Sequence, residues 1–309
     1  MLLILVGGLA CACAAPPTHQ APPPRGLSIL SDAVKMSPNS DPTPPILHVG
    51  GWQAPIPVPG VVNTAGAEDS PFVTPDGGTL YLFFTPDPSV PPEKQLLDGV
   101  TGVYVARREG GTWGQVQRVL LQAPGKLALD GCPTVAGDTL WFCSAREGYA
   151  GVNTFTARLV EGGWGDVQYA GDLLTQEYGA GELHTVGDEM YYHSPRAGGK
   201  GQFDIWVTRR VGGAWQPPEN VAAVNSGEVD GWPYVSPDGG ELWFTRSYMG
   251  SPAIYRSRRA GGGWSKPELI VSQFAGEPSL DGEGNLYFVH HFVREGTIVE
   301  ADLYVAYRQ

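Results

Sequence analysis

Five stretches of the chain share one pattern of apolar and polar positions. Each opens with a proline or histidine, runs through β-branched or aromatic residues, breaks at an Asp/Gly turn and resumes with leucine or methionine followed by aromatics. They read PFVTPDGGTLYLFF from Pro71, PTVAGDTLWFCS from Pro133, HTVGDEMYYHS from His184, PYVSPDGGELWFT from Pro233 and PSLDGEGNLYFVH from Pro278. Apolar runs split by a Gly/Asp turn predict β-hairpins. A third strand follows each hairpin and ends in basic residues: GVYVARR, TFTARL, DIWVTRR, AIYRSRR and DLYVAYR. A glycine pair running into Trp52, Trp113, Trp164, Trp215 or Trp264 marks a fourth strand.

These marks recur about every fifty residues, the sequence sign of a repeat architecture. Four antiparallel strands per unit, set radially, build a propeller blade whose faces are buried against its neighbours. The last unit stops after its third strand at Gln309, while an orphan tryptophan strand, Trp52 to Pro55, opens the domain. The expected fold is therefore all-β: a five-bladed β-propeller of four-stranded antiparallel blades, closed by the N-terminal strand completing the last blade. Such closure leaves no free edge between first and last blades.

The repeats resemble the bacterial WD-like β-propeller repeats of the TolB type, whose signature is an acid, a proline, Ser-Pro-Asp-Gly, a Leu-Tyr-Phe strand and an Asp-Ile-Tyr strand. Val235-Ser236-Pro237-Asp238-Gly239 and Asp204-Ile205-Trp206-Val207 carry the match. The resemblance implies the fold over residues 46–309. It leaves the chemistry open, because propellers host binding, scaffolding and catalysis alike. Blade three departs from the pattern, with His184 where the others have proline, and blade two lacks the Ser-Pro element.

Composition narrows the partners. Across 309 residues the formal net charge is −12, so the molecule repels phosphate backbones and nucleic acid is not an expected partner. The Arg-Arg pairs at 107–108, 209–210 and 258–259 recur at equivalent repeat positions and form no basic patch. Residues 1–15 form an apolar run of signal-peptide length ending in small residues, too short to span a membrane. Export is expected, as a periplasmic protein or a membrane-anchored lipoprotein of a bacterial envelope. The small residues around Cys11 and Cys13 loosely resemble a lipobox, and cleavage after Ala14 is the alternative. Membrane contact would then come only through an N-terminal lipid. Residues 16–45 are Pro-rich and lack apolar periodicity, which predicts an extended, mobile linker. A monomer is expected.

An acid precedes each first strand: Glu68 and Asp69, Asp130, Glu182, Asp230 and Glu277. With first strands innermost, these carboxylates would rim the mouth of a central channel. Arg146, Arg196 and Arg246 stand at intervals of fifty residues at the far end of the second strands, with His291 in the related place of blade five. Read functionally, the rim is a binding site for a glycan, peptidoglycan or envelope protein, with Tyr178, His184, His193 and Trp232 adding aromatic and imidazole surface. Read structurally, each acid and arginine form an ion pair that repeats because the blade repeats. His184, Trp232, His290 and His291 break the repetition and so point more strongly to function. No catalytic residue is assigned on the binding reading. The alternative is a glycoside hydrolase: five-bladed arabinanase-type enzymes carry Asp, Asp and Glu on successive blades, an order matched by Asp69, Asp130 and Glu182, although the local motifs differ. No cofactor is called for, and calcium is the one ion the acidic rim would suit. His290 and His291 are adjacent on a strand and face opposite ways, so they cannot share a metal. Cys132 and Cys143 fall opposite each other across the Gly137-Asp138 turn, either as a disulfide or as two buried thiols.

Overall fold

The computed structural model describes residues 22–170 and 182–309. Antiparallel hydrogen bonding sorts their strands into five units. The first is Ala67–Val73, Thr79–Thr85 and Gly102–Glu109, with Thr112–Trp113 and Gln117–Arg118 both paired to the third strand. The second is Ala128–Ala136, Thr139–Arg146, Val152–Val160 and Gly163–Tyr169. Leu183–Val186, Glu189–Ser194 and Asp204–Val211 form the third, edged by Ala214–Trp215 and Glu219–Asn220. The fourth is Asp230–Val235, Glu241–Tyr248 and Ser251–Ala260, edged by Gly263–Trp264 and Glu268–Ser272. Ala275–Leu280, Leu286–Arg294 and Thr297–Ala306 make the fifth, and its outer strand is N-terminal: Ile56–Pro57 pairs with Tyr304 and Val305, and Trp52 bridges Arg308.

The first strands of the units touch in cyclic order, each against the next and the last against the first, so the units form a closed ring. Apolar faces fill the spaces between them. Leu82 and Phe84 of the first unit share a cluster with Leu303 and Val305 of the fifth, and Ile205 of the third shares one with Val235 and Phe244 of the fourth. Each such side chain contributes about 1.5–3 kcal/mol on burial.

Four first strands carry a β-bulge at the same place, between Asp69 and Phe72, Gly131 and Thr134, Gly231 and Tyr234, and Gly276 and Ser279. Ser70, Cys132, Trp232 and Glu277 occupy it with φ of 47°, 54°, 52° and 55°, a left-handed conformation uncommon outside glycine. Proline follows each one, tolerated because the interrupted ladder asks no N–H of it. Cys132 is disulfide-bonded to Cys143 across this bulge, with Cα atoms 5.4 Å apart.

Register corrects the alignment of the third unit. His184 stands opposite Tyr191, just as Phe72 stands opposite Tyr81, Thr134 opposite Trp141 and Tyr234 opposite Trp243. Counting out from the Gly187-Asp188 turn, Leu183 takes the proline position and Glu182 the bulge position. The segment is one residue shorter before its turn than its neighbour in the second unit, which misleads a match made on letters alone.

The Pro-rich segment also differs from the extended, mobile linker expected. Residues 22–45 lie along the ring, held by charges: Arg25 to Glu68 at 2.9 Å, Asp41 to His290 at 2.8 Å, and Lys35 to both Glu300 and Asp302. The Met36 N–H donates to Glu300 at 2.9 Å. Composition hides this docking because it uses isolated polar contacts rather than an apolar stripe. Ile46–Leu47 then extends the fourth unit by pairing with Glu268–Ser272.

Candidate functional site

The acids before the first strands divide into two sets. In the first, Asp130 accepts from Arg146 at 2.7 Å and from Ser144 Oγ at 2.6 Å, and the Arg146 guanidinium lies 4.3 Å from the Phe155 ring. Asp230 accepts from Arg246 at 2.6 Å and from Ser226, with Arg246 lying over Tyr255. Glu68 accepts from Arg25 and from Thr64 Oγ1 at 2.6 Å. All three carboxylates are buried. Burial pushes Glu68 up to about 7 despite Arg25, and raises Asp230 despite Arg246. These are internal brackets tying the start of a first strand to its neighbours, and they leave the acids little to offer a ligand.

The second set is Asp69, Glu182 and Glu277. Ser70 Oγ donates to Glu182 at 3.1 Å, His291 Nε2 stands 3.5 Å from Asp69, and Glu277 lies close enough to both acids for their charges to act on it. No arginine or lysine pairs with any of them among the described residues. Burial, added to the charge of Asp69, pushes Glu182 up to about 8. Burial and the two neighbouring carboxylates raise Glu277 well above the usual range. Burial acts on Asp69 in the same direction, but His291, the Ser70 N–H and Glu277 outweigh it and hold Asp69 low. One ionised carboxylate thus sits between two protonated ones, each able to donate and to accept. No group of three or more His, Cys, Asp or Glu side chains among the described residues has a metal-binding arrangement.

The bulge places this cluster. Ser70, Glu182, Trp232 and Glu277, with the prolines that follow three of them, line a cavity of about 30 Å³ at the channel mouth, room for about two waters. Phe72, His184 and Tyr234 form its floor and also the wall of a second cavity of about 520 Å³ on the hairpin-turn side. Their rings meet, His184 to Tyr234 at 4.4 Å and Phe72 to His184 at 6.0 Å, so the channel is plugged midway. His184 Nδ1 accepts the Val235 N–H, and burial lowers its pKa to about 3, leaving it neutral. His193 likewise accepts the Trp232 N–H, which pins the bulge, and burial lowers it to about 4.

The remaining anticipated residues fall elsewhere. Arg196 lies over the Trp206 ring at 4.9 Å. His290 is fully buried on Asp41, facing away from His291 as strand geometry requires. Tyr178 lies outside the described residues, as do Cys11 and Cys13. Of the acids ordered as in arabinanases, Asp69 and Glu182 belong to the mouth cluster while Asp130 is bound to Arg146 and Ser144. Sequence reasoning missed Ser70, whose importance comes from its φ, and Arg25, Lys35 and Asp41, whose partners lie far along the chain.

No protein-family model matches this chain, and no curated protein sequence matches it. Solved structures do. The endo-arabinase of Bacteroides thetaiotaomicron VPI-5482 aligns with a TM-score of 0.50 at 14% identity, over 82% of this chain and 96% of that one. TolB from Acinetobacter baumannii aligns with a TM-score of 0.45 at 14% identity, over 80% of this chain and 55% of that one, so the chain spans about half of TolB. An α-L-arabinofuranosidase from Podospora anserina, solved with cellotriose, aligns with a TM-score of 0.46 at 9% identity, over 84% of this chain and 96% of that one. At these identities the likeness is one of fold: the chain is an all-β propeller.

Proposed function

We propose that this protein is an exported, non-enzymatic binding or scaffolding propeller of the bacterial envelope, built of TolB-type repeats, which takes a glycan, a peptidoglycan fragment or a protein partner at the mouth cluster. One observation carries the reading: the carboxyl groups without a cation crowd a cavity of about 30 Å³ instead of flanking a cleft wide enough for a sugar ring. Glycoside hydrolysis needs two carboxyls about 5–9.5 Å apart, with sugar or water between them. Glu182 and Glu277 line a cavity of about 30 Å³, too narrow for a sugar ring between them, and Asp130 is committed to Arg146. A mixed set of protonated and ionised carboxyls beside Trp232 suits hydroxyl and amine groups, which donate and accept in turn.

The hydrolase reading retains one specific support. Glu182, held protonated near ionised Asp69, has the state a general acid needs. A glycan array probed with the full chain, scored for retention and for release of reducing ends, separates the two. Retention without release, lost on Glu277→Gln or Trp232→Ala, is the expected result. Release abolished by Glu182→Gln would replace the binding reading with the hydrolase, and silence on every glycan would confine the ligand to a protein.

A further inference from the structure

Four of the five spaces between units are locked by one repeated aromatic contact. The tryptophan of one outer strand seats on the second-strand aromatic of the preceding unit: Trp113 on Tyr287, Trp164 on Tyr81, Trp264 on Tyr191 and Trp52 on Trp243, with ring centroids 5.7–6.3 Å apart. The equivalent pair between the second and third units is Trp215 and Trp141, and among the described residues these rings make no such contact. Both instead line a cavity of about 600 Å³.

Register shows what stands at this place in each unit. The residue opposite the second-strand aromatic is Val105, Val207 or Val305 in three units, an apolar filler. In the fourth it is Arg256, whose guanidinium lies 5.4 Å from the Trp52 ring and 5.1 Å from the Trp243 ring, held by Glu241 at 3.2 Å and Glu268 at 2.8 Å. The protein itself thus fills one two-tryptophan slot with a cation and supplies two carboxylates to hold it. In the second unit the same place is taken by Thr156, and the carboxylates are replaced by Thr139 and Gln168. A hydroxyl stands where three units have a valine methyl, and the cation and anions of the fourth are both gone.

We propose that the gap between the second and third units is a second ligand site, separate from the channel mouth, which takes a neutral sugar unit between Trp141 and Trp215. The indole faces suit the C–H face of a sugar ring. Thr139, Thr156 and Thr185 lie on the lining of the gap, where threonine hydroxyls pair with those of a sugar. A cationic ligand is disfavoured, because the acids that neutralise Arg256 have no counterpart here. An anion is disfavoured too, since Arg158 and Arg210 on the lining are already engaged by Asp138 and Asp188 at 2.7 and 2.9 Å. A volume of about 600 Å³ suits a mono- or disaccharide.

The test is an array of neutral pentose and hexose oligosaccharides probed with the full chain, followed by calorimetric titration of the best ligand against three variants. Thr156→Arg plugs the slot as Arg256 does in the fourth unit, and Thr156→Val removes the hydroxyl at nearly constant volume, as in three other units. Thr156→Arg is expected to weaken binding about tenfold or more and Thr156→Val about threefold, while Glu277→Gln leaves this affinity unchanged. A melting curve within a few degrees of the parent shows that the variants fold. Absence of any retained neutral sugar, or an affinity untouched by Thr156→Arg, overturns the proposal. A ligand lost on Glu277→Gln but not on Thr156→Arg overturns it too, assigning the sugar to the channel mouth.

Discussion

The acids at the top of the ring meet two fates within a few residues of each other. Glu68, Asp130 and Asp230 each bind an arginine and at least one hydroxyl group. Asp69, Glu182 and Glu277 have no cation of that kind: Ser70 donates to Glu182, His291 stands 3.5 Å from Asp69, and the three acids act on one another by charge. The first set recurs because every unit must fasten its first strand, and recurrence is what a structural task produces. The second set comes from three different units and occupies positions where neighbouring units carry glycine, cysteine or tryptophan. A carboxylate fixed by arginine has little left for a ligand, whereas carboxyls without a cation keep donor and acceptor capacity for a ligand's hydroxyls.

Substitutions sharpen this contrast, and the largest effect is expected in the first set. Arg146→Ala leaves Asp130 buried without its cation and should cost about 3–5 kcal/mol, read by urea denaturation. If it proved as mild as Glu277→Gln, the division between the two sets would fail. Lys35→Ala strips two buried carboxylates of the docked N-terminal segment. Its partial exposure, 39%, reduces the expected loss to about 1–2 kcal/mol, with faster hydrogen exchange at the Met36 N–H as an independent readout.

Glu277→Gln should change stability by no more than about 1 kcal/mol near pH 6, since an amide replaces a carboxyl that is protonated in any case. Its larger effect lies in the pH profile. Glu182, raised to about 8 from 4.5, and Glu277, raised in the same direction, bind more protons folded than unfolded, so stability falls as pH rises from about 4.5 toward 8. His184 and His193, lowered to about 3 and 4 from 6.5, act oppositely and withdraw stability as pH falls below about 6.5. Denaturation from pH 4 to 9 should therefore show a maximum in the mildly acidic range. The double variant Glu182→Gln, Glu277→Gln should flatten the alkaline side, leaving a residual slope from Glu68 and Asp302, both raised to about 7. An unchanged alkaline slope would show that the mouth carboxyls are ionised in the folded protein.

Much of the fold was legible before any coordinates. Two-residue and five-residue connections set each hairpin, and the tryptophans with the arginines opposite them repeat as packing: Arg108 lies over Trp113, Arg210 over Trp215, Arg259 over Trp264 and Arg308 over Trp52. The Asp130 to Arg146 and Asp230 to Arg246 pairs were legible as well, because a constant spacing of sixteen residues across a hairpin returns both ends to one place. His184 was misplaced by one residue because letters were matched where turn geometry should have been counted. The Pro-rich segment was misread because its anchors are single charged residues, each answered by a partner more than forty residues away.

The sequence by itself determined the elements that depend on neighbours along the chain: hairpins, their repeat, and the strand that closes the ring. Those follow from turn chemistry and from apolar alternation, which act over a few residues. Tertiary structure decided which carboxyls stand together and which space between units is left unfilled. Asp69, Glu182 and Glu277 are brought together only by the bulges at Ser70 and Glu277 and by closure of the ring, which sets the start of the third unit beside them. The gap at Trp141 and Trp215 is likewise a property of two units facing each other, set by side-chain volume and by burial across the interface, neither of which one strand can express alone.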